Sequence, residues 1–346
     1  MFKSVLMSSA ALAATIALAP AAAAFDCAKA STDTEKAICA DPAVKAADDA
    51  MTAAYQSLLA KAQGDQPAML KASQVAWLKL RDMNCGWQEK AEEKSACLLE
   101  KTNERTAFFN AEPESGPGFG SSPALIPHVF ARSFGKNKCS ADVSMFRFAG
   151  AATDAGEKVL NGWVNDLATN MEKDYGSYAD GDLPDGMECE YAATATITYA
   201  SPDLIAMNVG IYMFGGGAHG NSMATSLTLD RKTGKALAFP EVFDASGEKS
   251  LVAKCAEGIK AAKIERFGES GTKEEIAELV ANDMTTYAEA IGAGVADFSN
   301  WLIYEDRAEV YFAPYALGSY AEGDYTCALP KADLQAAAGA KGWVVP

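Results

Sequence analysis

The chain has 346 residues, 46 of them acidic against 30 basic, for a formal charge of −16. That surplus of acid repels nucleic acid and anionic membrane surfaces and speeds encounter with a strongly cationic partner. Only two histidines are present, which excludes a histidine-rich metal site by count.

Residues 1–24 read as a secretory signal peptide. Lys3 gives a positive start, Ala10 to Ala19 is a short apolar run, and Ala22 to Phe25 offers small residues for a cut after Ala24. Phe25-Asp26 ahead of Cys27 does not suit lipidation, and no later run is long and apolar enough to span a bilayer. The expectation is a soluble periplasmic or secreted protein with no membrane insertion after cleavage. All eight cysteines follow the leader, an even number that reads as disulfides in an exported chain. Their spacings match no zinc pattern. No cofactor is expected.

Residues 25–110 are rich in Ala, Lys and Glu and read as helical. Thr32 and Glu35 are spaced as a capping box, and Asp41-Pro42 is a cap followed by proline at the first helical position. Ala47, Met51, Tyr55 and Leu58 recur at helical spacing. Gly64 to Pro67 breaks the run, and Met69, Ala72, Ala76, Leu80 and Met83 form a second stripe. Two helices with a short break pack antiparallel. Such a hairpin brings Cys39 near Cys85 and lets Cys27 and Cys97 close an outer bridge, although four cysteines allow three connectivities. Trp77 and Tyr55 read as core, and Arg81 and Asp48 as a pair between the helices.

Cys27, Glu35, Ile38-Cys39, Asp48, Tyr55, Gln74, Trp77-Leu78, Arg81, Cys85, Cys97-Leu98 and Arg105 together resemble the signature of the LprI-type N-terminal domain. That family is named for a lipoprotein described as a lysozyme inhibitor. The resemblance implies a small disulfide-stapled helical domain and a lysozyme-binding role.

Asn110 to Pro123 is dense in Pro, Gly and Ser and reads as a flexible connection, so residues 111–125 are taken as a linker. Residues 126–346 mix periods. Leu160, Trp163, Leu167 and Met171 lie on one helical face. "CEYAATATITYA", "LIAMNVGIYMF" and "SMATSLTLD" read as strands, and the turn Lys232 to Lys235 joins the last of them to "ALAF". Helices are expected over roughly 245–267 and 272–291, then a hairpin across Glu305-Asp306. Blocks of strands and helices with hairpins argue an α+β domain with a largely antiparallel sheet and packed helices. Cys139–Cys189 and Cys255–Cys327 are the favoured bridges there.

"GGGAHG" lies between two strands, so it is neither a phosphate cradle nor a dinucleotide loop, both of which need a helix directly after the glycines. "DGDLPDGMECE" misses the calcium-loop register at Asp180, Asp182 and Asp185 and reads as solvated acid. Gly216 to Gly220, Asp230, Lys232 to Lys235, Phe239 to Phe243, Phe312 to Tyr315 and Tyr320 to Gly323 resemble the extracellular C-terminal domain of the RsiV anti-sigma factor family, a lysozyme receptor. The resemblance implies a fold and a muramidase or wall-glycan partner. It does not imply signalling, because no transmembrane or sigma-binding segment accompanies it.

The candidate partner-binding residues are therefore Gly217, His219, Asn221, Pro314, Tyr315 and Tyr320, with a structural role for His219 as the plain alternative. No catalytic or metal residue is assigned, and the chain reads as non-enzymatic. The leading reading is an exported protein that binds and inhibits lysozyme or another cationic muramidase. The alternatives are a peptidoglycan-binding module without inhibition and, behind it, a cell-wall enzyme.

Overall fold

The structure is a computed structural model and describes residues 25–120, 124–134, 139–148, 155–179, 189–268 and 271–338. The leader and the acidic loop at Asp180 to Asp185 lie outside the described residues.

The first part is helical. Thr32 and Glu35 close a reciprocal capping box that opens α1 (Asp33–Ala40). Asp41 accepts from the N–H groups of Ala43 and Val44 and starts α2 (Pro42–Lys61). Next come α3 (Gln66–Gly86) and α4 (Ala91–Asn110), which ends at Ala111 in the left-handed conformation at φ 50°. The expected two-helix hairpin is thus only part of the unit. α4 packs along α2, and α3 reaches α2 through long side chains. Arg81 Nη1 sits 3.3 Å from Asp48 Oδ1 and 3.4 Å from Thr102 Oγ1, all three side chains buried.

The nested bridges are corrected: the pairs are Cys27–Cys39 and Cys85–Cys97, not Cys39–Cys85 and Cys27–Cys97. Each closes a separation of 12 residues. The chain reverses between α3 and α4, which returns Cys97 to Cys85 near the end of α3. Likewise the single turn at Cys27–Lys29 folds back on α1 and meets Cys39. Ile38, Val44, Cys85 and Leu98 form a small core beside these staples.

The second part holds a six-stranded sheet in the order β1 (Leu125–Phe134), β2 (Cys139–Phe148), β3 (Cys189–Ala200), β4 (Leu204–Phe214), β5 (Asn221–Asp230) and β6 (Lys235–Ala236). Only β2 and β3 are parallel, and α5 (Ala155–Ala179) connects them, as a parallel pair requires. Cys139 faces Cys189 in the register and is bridged to it. After β6 come α6 (Phe239–Val242), α7 (Ala245–Phe267), α8 (Lys273–Thr286) and α9 (Ala288–Val295). The single helix expected over 272–291 breaks at Tyr287. A three-stranded antiparallel sheet follows, β7 (Trp301–Ile303), β8 (Arg307–Phe312) and β9 (Tyr325–Pro330), then α10 (Lys331–Ala338). Cys255 on α7 is bridged to Cys327 on β9.

One core joins the helical part to the six-stranded sheet. Met51, Leu70, Phe108 and Phe109 lie in the same buried cluster as Val129, Phe146 and Phe148. A buried polar network crosses that boundary. Arg105 donates to Gln74 Oε1 at 3.1 Å, Ser73 Oγ at 2.9 Å and Ser144 Oγ at 3.3 Å, and Ser73 donates to Asp142 at 3.0 Å. The guanidinium also lies 4.7 Å from the Phe109 ring centre. Burial lowers Arg105 to about 10, against the raising effect of Asp142.

The glycine-rich connection is hydrogen-bonded to β3. Glu114 N–H donates to Ile197 O at 2.9 Å, and Gly118 N–H to Ala200 O at 3.0 Å. Gly116, at φ 89°, lies so close to Ala200 O and the Tyr199 ring that no Cβ would fit.

Candidate functional site

The β4–β5 hairpin carries the loop 215–220 at its tip, and the loop between β8 and β9 carries Pro314, Tyr315 and Tyr320. These two loops meet. The His219 ring lies flat on the Tyr320 ring, 3.7 Å between centres at 15°. Tyr320 donates its hydroxyl to Gly220 O at 2.9 Å. His219 Nδ1 is 3.0 Å from the same carbonyl, and Nε2 is 3.5 Å from the Tyr315 hydroxyl. A proton on Nδ1 serves both contacts: it is donated to Gly220 and leaves Nε2 to accept from Tyr315. The Tyr315 and Tyr320 ring centres are 5.5 Å apart.

Of the sequence-predicted residues, His219, Tyr315 and Tyr320 are thus brought together. Gly217 and Asn221 are exposed on the His219 side, and Pro314 precedes Tyr315 on the other. Gly220 packs against the Tyr212 ring with no room for a Cβ. Tyr212, whose ring is partly exposed, extends the surface. Tyr315 is 57% exposed and holds φ at 73°. Among the described non-glycine residues only Ala111 shares a positive φ, and Ala111 is a helix cap. The left-handed conformation costs about 1–2 kcal/mol for an ordinary L-residue. Strain of this kind, on an exposed aromatic ring, points to function.

A buried lysine holds the second loop. Lys263 on α7 has no solvent exposure, and its Nζ lies 2.8 Å from Asp283 Oδ2 and 2.9 Å from Glu322 Oε2. Its ammonium also sits 4.7 Å from the Tyr325 ring centre. Glu322 accepts in addition from Ser319 N–H at 2.7 Å and from the Tyr325 hydroxyl at 2.9 Å. Arg266 donates to the Glu322 and Asp324 carbonyls. Burial alone would raise the Glu322 carboxyl, but these hydrogen bonds, led by Lys263, outweigh it and bring it down to about 2. Gly318 is required because a Cβ there would strike the Glu322 carboxylate.

None of this pin was foreseen, yet a signal existed. Leu251, Cys255, Ile259 and Lys263 form a stripe at four-residue spacing, all fully buried, with a lysine where an apolar residue belongs. The other histidine, His128, is on β1 at the opposite edge of the sheet and takes no part. Burial, then the nearby Arg147, lowers its pKa. Among the described residues no group of His, Cys, Asp or Glu is arranged to hold a metal ion, and no helix is long and apolar enough to cross a membrane.

No curated protein matches the chain. Solved structures similar to it include two of the DUF3298 family. A DUF3298 family member from Bacteroides fragilis NCTC 9343 is 14% identical, with 62% of this chain and 92% of that chain covered at a TM-score of 0.42. A DUF3298 family protein from Pseudomonas aeruginosa PAO1 is 12% identical, with 63% and 94% covered at a TM-score of 0.43. Residues 27–109, the disulfide-stapled helices, match the family described as "Lysozyme inhibitor LprI".

Proposed function

We propose that the chain is an exported, non-enzymatic protein that binds lysozyme-type muramidases and inhibits them, using the surface of His219, Tyr315 and Tyr320 with Gly217, Asn221 and Pro314. The observation that carries this reading is the match of residues 27–109 to a family described as a lysozyme inhibitor. Charge supports it, since −16 draws in a cationic enzyme and speeds encounter. Four disulfides among the described residues suit an oxidising compartment.

The ring surface supplies what charge does not. Clustered tyrosines in a fixed arrangement lose little entropy on binding and make strong anchors. Muramidases work with a pair of carboxylates in an open cleft. A glycine-rich hairpin tip can enter such a cleft and present main-chain N–H groups and His219 to those carboxylates. The test is the rate at which a c-type lysozyme clears a cell-wall suspension in the presence of the protein. Inhibition saturating near one equivalent is expected, and an unchanged rate over a large excess contradicts it. The exposed Tyr212 and Tyr315 rings also suit a sugar face. Retention on purified sacculi with lysozyme unimpeded would therefore replace the inhibitor by a glycan binder.

A further inference from the structure

β5 is nearly an edge strand, and its first half is open. The neighbouring β6 pairs only with Leu229 and Asp230. In the register, Ile211 pairs with Met223, Val209 with Thr225 and Ile205 with Leu229 on the β4 side. On the other side, Leu237 N–H donates to Thr228 O at 2.8 Å. Even-numbered residues of β5 therefore turn their main chain outward, away from β4. The outward groups are satisfied at both ends. Gly220 O takes the Tyr320 hydroxyl, and Thr228 O takes Leu237. Between them, the outward main chains of Ser222 and Ala224 make no hydrogen bond among the described residues. Asn221, Ser222 and Met223 are exposed, and Ala224 and Thr225 half-buried, so water reaches this stretch.

The opposite edge is treated differently. On β1, Val129 donates its N–H to Gln66 Oε1 at 3.1 Å, and its carbonyl accepts from Gln66 Nε2 at 2.9 Å. One glutamine amide from α3 thus closes that edge as a peptide group would. Exposed edges are usually blunted by charge, proline or a bulge. Asn221 to Leu227 carries no charged residue, no proline and no break in register. At the far end, Ser226, Leu227, Leu237, Phe239, Asp297 and Phe298 are among the residues lining a cavity of about 340 Å³.

We infer that this edge accepts an extended, cationic segment of a protein partner as an added strand. The segment's main chain pairs with Ser222 and Ala224, the ring surface abuts one end, and one apolar side chain enters the cavity at the other. From Ser222 to Thr225 the accessible edge runs for about 10 Å at the usual rise per residue, room to pair a stretch of about four residues. A second copy is a poor occupant because each chain carries −16. The edge itself rests on geometry alone. That the segment comes from a muramidase rests on the function proposed above.

The test uses a substitution that spares the β4–β5 ladder. Ala224→Pro removes an outward N–H and blocks the edge, whereas Ala224→Val keeps the N–H. The probe is a fluorescein-labelled ten-residue peptide of alternating lysine and valine, read by anisotropy at physiological salt. Saturable binding to the wild-type protein is expected, at least tenfold weaker for Ala224→Pro and unchanged for Ala224→Val. If Ala224→Pro fails to fold, Ser222→Pro takes its place. Equal binding by the proline variant, or no saturable binding by the wild type, overturns the inference. So does a wild-type dimer that the proline variant loses, which would make the occupant a second copy. Failure of lysozyme to bind sinks the muramidase reading and leaves the peptide result standing. Loss of the proline effect sinks the edge and leaves the lysozyme result standing.

Discussion

Tyr315 opposes two effects of similar size. Its left-handed backbone costs about 1–2 kcal/mol, and its ring pair with Tyr320 returns about 0.5–1.5 kcal/mol. Tyr315→Gly should therefore leave the melting temperature unchanged or slightly higher while weakening partner binding tenfold or more. A loss of stability with binding intact would make the tyrosine structural. Lys263 behaves in the opposite way. Lys263→Ala strands Asp283 and Glu322 in a largely buried site and should cost about 3–5 kcal/mol in denaturant unfolding. The same pin sets an acid limit. Glu322 falls from an ordinary 4.5 to about 2 in the folded protein. Its contribution is complete above the unfolded value and disappears as the pH falls from about 4.5 through about 2. Unfolding measured across that window should show the loss, and Glu322→Gln should flatten it. The ring residues were legible in the sequence because glycines, proline and tyrosines punctuate two loops. Their supports were not, since Glu322 lies 59 residues from Lys263 and nothing local pairs them.

Among the elements, β3, β4, β5 and the β7–β8 hairpin were legible from alternation and turn residues, and the Thr32–Glu35 capping box and the Asp41-Pro42 cap marked helix starts. α4 was not, for a physical reason. Its buried face carries Thr102 and Arg105 beside Leu98, Phe108 and Phe109, so no apolar stripe shows, and Lys90 gives no side-chain cap. Overlooking α4 also hid the true bridges, because the stapled hairpin is α3–α4. Peptide mapping without reduction should return Cys27–Cys39 and Cys85–Cys97. Replacing Cys85 and Cys97 together by serine should cost about 3 kcal/mol on a loop-closure account. Recovery of a Cys39–Cys85 peptide from the native protein would refute the pairing.

Across the whole molecule, the sequence suggested two units on a flexible tether. The structure gives the helices and the six-stranded sheet a common core and pins them with Arg105, Gln74, Ser73, Ser144 and Asp142. Aromatic fluorescence and far-ultraviolet dichroism should then report one shared transition in denaturant. Arg105→Ala should lower its midpoint sharply by leaving Asp142 buried without its partner. Two separated transitions in the wild type would show independent units. A shared core thus fixes the helical segment that matches the inhibitor family against the six-stranded sheet.

Titration calorimetry of the processed chain against a c-type lysozyme at low and physiological salt decides whether a cationic muramidase is the partner. Sub-micromolar binding near one to one is expected, weakening only modestly with salt and lost on Tyr315→Gly. Weak heat that vanishes as salt rises, indifferent to Tyr315, would mean that an acidic surface was meeting a cation and nothing more.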